Sequence, residues 1–150
     1  PEAAILYSMN SIFWQDDCPA LMPKIFTALM FMGKPATFIS ERQLAAGVVP
    51  ANLKWIVLPH ATHLTDEAVA GLARFVESGG RVVNVGSECM AWDAYHRPRS
   101  LPQVLAQAPT VDLPATEKQL HAALREIFSR GGMEFLALLD AETGQPVWGV

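Results

Sequence analysis

Between Trp55 and Glu88 the chain reads as one complete supersecondary unit, and no other stretch limits the fold so sharply. Trp55–Leu58 and Arg81–Val85 are short, β-branched and almost continuously apolar, the pattern of strands covered on both faces. Between them, Thr65 is placed to cap a helix over Asp66–Ser78. Asp66 and Glu67 meet the positive end of its dipole, and Leu64 and Val69 are spaced for a hydrophobic staple. Val69, Leu72, Ala73 and Val76 keep a helical period, and Gly79 suits a left-handed stop. Two parallel strands joined by one helix form a right-handed βαβ unit. The loops after Leu58 and Val85 therefore leave the same, carboxyl edge of the sheet, where a ligand site is expected.

The flanking segments extend this rhythm. Ala3–Ser8 reads as a first strand, Met9–Asp17 as a polar and aromatic loop on the same edge, and Pro19–Gly33 as a helix with Leu21, Ile25, Leu29 and Met32 on one face. Thr37–Ile39 is a brief second strand, and Ser40 caps a short helix over Glu41–Ala46 that ends at Gly47. After Val85 the pattern loosens, with a short helix expected over Leu101–Ala106 and a fifth strand over Thr110–Leu113. A capping box at Thr116–Gln119 opens a final helix that ends at Gly131-Gly132. The fold class is α/β: a three-layer α/β/α sandwich of flavodoxin-like, class I glutamine amidotransferase-like type, with a mostly parallel sheet of order 2-1-3-4-5. Residues 1–132 form this domain. Residues 133–150 read as a β-hairpin that begins or links to a following β module, and a chain that opens at Pro1 close to a strand and stops at Trp148-Gly149-Val150 in another is expected to be an internal domain of a longer polypeptide.

Composition excludes several function classes. With 51% hydrophobic residues among 150, a net charge of −4 and no Lys/Arg cluster, the chain has a substantial core and no electrostatic footprint for nucleic acid or an anionic membrane. No apolar run is long enough to span a bilayer, so a soluble segment is expected. The cytoplasm is its default compartment, although the two cysteines leave export open.

Chemistry-bearing residues are sparse. Cys89 follows a βαβ strand, as the nucleophile does in class I amidotransferases, but it lies four residues past the strand with Glu88 and Met90 as neighbours. No downstream His-x-Glu pair supplies a base, so the structural reading prevails and no catalytic residue is assigned. His60-Ala-Thr-His63, with Asp66 and Glu67, lacks a recognised metal-ligand frame. A single glycine, Gly86, stands where a dinucleotide fingerprint needs three, and no cofactor is expected. Asp16, Asp17 and Glu88 read as solvated or capping carboxylates. Phe13-Trp14 is more informative, because an aromatic pair on the carboxyl edge marks a contact surface. Phe13, Trp14, His60, His63 and Glu88 are therefore the candidate binding or interface residues.

Ala4-Ile-Leu-Tyr7, Phe13-Trp14, Trp55-Ile-Val-Leu-Pro59, Leu64-Thr-Asp-Glu-Ala68 and Leu72-Ala-Arg-Phe-Val-Glu-Ser-Gly-Gly80-Arg-Val-Val83 together resemble the trimerisation domain. This domain follows the barrel in family 42 glycoside hydrolases, the bacterial β-galactosidases. The resemblance covers Ala3 to about Ser87, and more loosely Trp148-Gly-Val150. It implies an amidotransferase-like fold without the nucleophile and an oligomerisation or docking role. The implied partners are other domains of the parent and neighbouring subunits, with a carbohydrate at the domain edge. No catalytic residue carries over, since the acid and nucleophile of that family belong to the barrel. Phe75-Val-Glu-Ser-Gly-Gly80 also occurs in ThuA-like proteins, so an autonomous small-molecule hydrolase or a ligand-binding sensor domain is the rival expectation.

Overall fold

A computed structural model describes residues 2–131. Five strands, β1 (Ala3–Tyr7), β2 (Ala36–Ser40), β3 (Trp55–Pro59), β4 (Arg81–Val85) and β5 (Thr110–Val111), form one wholly parallel sheet in the expected order β2-β1-β3-β4-β5. The central pair is in register over its full length, from Trp55 beside Arg81 to Pro59 beside Val85. Side chains alternate across the sheet and build two separate apolar layers. On one face Ala4, Leu6, Ile56, Leu58 and Val82 meet α3 (Glu41–Ala46), α4 (Asp66–Glu77) and α5 (Gln103–Ala106). On the other, Ile5, Trp55, Val57, Val83 and Val85 meet α2 (Cys18–Phe31) and α6 (Glu117–Arg130).

Local chemistry explains most of the boundaries. Thr65 Oγ1 accepts a hydrogen bond from the Ala68 N–H at the start of α4, and Leu64 and Val69 are both buried in the layer beneath it. Ser40 with Gln43 and Thr116 with Gln119 close complete capping boxes, and Gly47 ends α3 at φ 72°. Gly79 adopts φ 102° immediately after the α4 cap.

Two expectations need correction. Residues 9–14 are not loop but a short helix, α1 (Met9–Trp14), whose N-cap Ser8 accepts from the Ser11 N–H. Six residues carry too little periodicity to announce a helix, and this one is held by tertiary hydrogen bonds that sequence spacing does not display. The fifth strand stops at Val111 rather than Leu113. The expected hairpin over residues 133–150 lies outside the described residues.

Candidate functional site

Three segments converge at the carboxyl edge: α1 after β1, the turn His60–Leu64 after β3, and the loop Gly86–Arg99 after β4. Serines dock α1 onto the turn. Ser11 Oγ donates to the His63 carbonyl (2.8 Å) and accepts from the His63 N–H (3.1 Å), while Ser8 Oγ donates to Glu41 Oε2 (2.9 Å). Glu41, the first residue of α3, also accepts from Asn10 Nδ2 (3.0 Å) and from the Thr65 N–H (2.8 Å). One carboxylate thereby ties α1, α3 and the start of α4 together, and each charge-assisted bond is stronger than a neutral one.

The loop is ordered by two ion pairs and their backbone bonds. Asp93 Oδ1 accepts from the N–H groups of Tyr95 and Arg97, both at 2.9 Å, and its Oδ2 accepts from Arg97 Nε at 2.7 Å. Burial pushes the Asp93 carboxyl up, but the Arg97 N–H, the Arg97 guanidinium and the Tyr95 N–H outweigh it and hold the group below the usual carboxylate range. Arg99 bonds the carbonyls of Leu64 (2.7 Å) and Trp92 (3.0 Å) and pairs with Asp66. The loop is thus fastened to the first turn of α4.

These constraints bring four rings together. His63 Nε2 lies 2.7 Å from His96 Nδ1, and the two imidazoles are within 15° of coplanar, so they form an edge-to-edge pair. Trp14 stacks on both, at 4.9 Å from His63 and 4.8 Å from His96, and Trp92 does likewise at 5.2 and 5.1 Å. Two indoles cannot occupy the same face of one imidazole pair at those distances, so the pair is enclosed between them. The buried end is His63, 1% exposed, whose Nδ1 lies 2.7 Å from Thr62 Oγ1. Burial, then the charge of His96, holds the His63 imidazole below its ordinary pKa, with Asp93 opposing. The open end is formed by His96, by Trp14 at 43% exposed and by Phe13 at 79%, which meets Trp14 edge-on.

Of the five residues expected at this surface, the structure gathers Phe13, Trp14 and His63. His60 turns the other way. With φ 48° it reaches Asp17 Oδ1 (2.7 Å), and Gly86 leaves room for its ring, since a Cβ there would come within 2.6 Å of it. Glu88 is exposed on a turn and joins none of these contacts. Trp92 and His96 complete the stack and went unassigned in sequence. Their loop has no periodicity, and the only local signal is Asp93 ahead of Tyr95 and Arg97, which marks a turn but not its destination.

The cysteine weighed as a nucleophile is occupied. Cys89 is 5% exposed, and its Sγ donates to the carbonyls of Val85 (3.4 Å) and Leu58 (3.7 Å). Burial, the dominant influence, pushes its thiol up to about 12, the opposite of an activated thiolate. Among the described residues, no three His, Cys, Asp or Glu side chains gather as a metal site, and no helix is long and apolar enough to cross a membrane.

No protein-family model matches the sequence, and no curated protein is similar to it by sequence. Solved structures share its fold. An exo-carrageenase GH42 from Bacteroides ovatus aligns over 87% of this chain at 20% identity with a TM-score of 0.64. A β-galactosidase from Bifidobacterium adolescentis aligns over 65% at 22% identity and 0.54. Gan42B, a GH42 β-galactosidase from G. stearothermophilus, aligns over 71% at 18% identity and 0.56. The chain spans 18%, 44% and 16% of those three chains, less than half of each. At these identities the likeness is one of fold, shared with part of each larger enzyme.

Proposed function

We propose that this chain is a non-catalytic docking domain of a carbohydrate-active enzyme, a glycoside hydrolase of β-galactosidase type, and that its carboxyl edge contacts another domain or a neighbouring subunit. One observation carries the reading: a half-exposed Trp14, flanked by an exposed Phe13, is held rigidly in place by a ring stack and a network of saturated polar groups, with no activated nucleophile beside it. Rigid, part-exposed aromatics cost solubility when bare and supply binding energy when covered. The fold neighbours support the carbohydrate-active context, each being a larger enzyme in which such a domain is one part among several.

The test is light scattering of the full-length protein carrying Trp14→Ala and, separately, Phe13→Ala. Covering a tryptophan at an interface contributes about 2 kcal/mol or more, so dissociation constants should weaken at least about thirtyfold. The isolated chain should stay folded. An unchanged assembly would defeat the proposal.

A further inference from the structure

Two imidazoles that share a hydrogen bond can hold only a limited number of protons. At 2.7 Å between His63 Nε2 and His96 Nδ1, one N–H must face one lone pair. The neutral pair meets this condition. With one added proton it is met again: a protonated His96 donates its Nδ1–H to His63 Nε2, while the His63 Nδ1–H meets Thr62 Oγ1. After a second added proton it fails, because N–H would oppose N–H in the same contact and two positive rings would lie with centroids 5.0 Å apart.

The indoles sharpen the distinction. A single cation between two aromatic faces is attracted by both, so Trp14 and Trp92 favour the pair with one proton. The ring faces offer a second cation no additional counter-charge. The charged groups around the pair are few and mostly engaged. From the loop come Asp93, paired with Arg97, and Arg99, paired with Asp66. From the turn and the start of α4 come His60, paired with Asp17, and Glu67 beside Asp66. Glu41 from α3 is held by Ser8, Asn10 and Thr65, and α1 carries no charged residue. Asp93 is the carboxylate whose field reaches His63.

We propose that the His63–His96 pair is a proton-operated latch on this edge: it stays closed with up to one added proton, and a second drives the His96 ring out from between Trp14 and Trp92. The ring leaves because His96 is the exposed member, on a loop with solvent beyond it, whereas His63 is walled in. Opening removes one of the two rings on which Trp14 stacks and leaves it on His63 alone. That this alters docking rests on the contact-surface reading above, whereas the latch itself does not.

The direction with pH follows from burial. His63 in the folded chain binds its proton less readily than its ordinary value of 6.5, so the unfolded chain takes up more protons below that pH. The His63 contribution to folding stability is therefore fully present above about pH 6.5 and is lost as the pH falls through the lower folded value, so the second proton reaches the pair only from the acid side. Acid opens the latch.

Histidine nitrogen NMR of the 150-residue chain from pH 8 to pH 5 tests this without any partner. Proton uptake by the hydrogen-bonded pair should occur in two separate steps that belong to the pair as a whole. The nitrogen–nitrogen coupling across their hydrogen bond should survive the first step and vanish in the second. Overhauser contacts between the His96 ring and the Trp14 and Trp92 indoles should survive the first step and vanish in the second. Proton uptake in a single step, or loss of the ring contacts already at the first step, would overturn the latch. Light scattering of the full-length protein over the same range separates the two ideas: a mass independent of pH, with the second step still present in the NMR, keeps the latch and tells against docking through this edge.

Discussion

The βαβ unit and the carboxyl edge are built from opposite kinds of contact. From Trp55 to Val85, each element is specified by residues a few positions away: Thr65 caps its own helix, Leu64 staples to Val69, and a left-handed Gly79 ends the helix next to the strand that follows. At the edge, a ring from position 14 lies on rings from positions 63 and 96, and a carboxylate at position 41 holds donors at 8, 10 and 65. Short-range codes are readable one at a time, while the edge exists only after the sheet has set the distances between its loops.

The largest expected effect strikes the first kind of contact where it meets the second. Gly71 on α4 faces the backbone of α3 so closely that a Cβ would come within 2.2 Å of the Leu44 carbonyl oxygen. The obstacle is backbone and cannot swing aside, so Gly71→Val should destabilise the chain by about 3 kcal/mol by forcing the two helices apart. Urea unfolding measures it, and a midpoint within error of wild type would show that α3 is not seated as described. Because α3 carries Glu41, the same variant should also loosen the edge.

A smaller effect isolates the edge. Glu41→Ala leaves the Thr65 N–H without its acceptor and removes the clamp on Ser8 and Asn10, at a cost of about 1 to 2 kcal/mol. The sheet should persist in far-ultraviolet dichroism while tryptophan near-ultraviolet signals lose intensity as Trp14 comes away from His63. Equal loss in both regions would mean that the edge is not a separable unit.

The smallest effect is an expected lack of one. Iodoacetamide at neutral pH should label Cys89 slowly until the chain is unfolded, since its thiol is buried and its pKa is pushed up to about 12. Rapid labelling in the folded chain would return Cys89 to consideration as a nucleophile and weaken the docking reading.

Much of this is legible in the sequence. The apolar runs at Trp55–Leu58 and Arg81–Val85, the caps at Ser40, Thr65 and Thr116, and the alternation of strands and helices rest on hydrogen bonds and periodicities spanning a few residues, and their βαβ rhythm pointed to the doubly wound order that the sheet shows. Trp14 and His63 could be named as surface candidates because strands β1 and β3 end on one edge. The missing half of the site was Trp92 and His96, in a loop whose shape depends on Asp93 and Arg99 finding partners elsewhere.

The sequence by itself determined the alternation of strands and helices, their boundaries and caps, since covalent neighbours carry that information, and with the right-handed crossover rule it pointed to the edge at which function should be sought. Only the tertiary structure decided which of two histidines in one turn is buried and which faces Asp17, that residues 9–14 are helical, and that a histidine pair is enclosed between two tryptophans. Those outcomes depend on how far apart and at what angle the loops leave the sheet. An offset of one or two ångströms there makes or abolishes a hydrogen bond, and no local pattern records it.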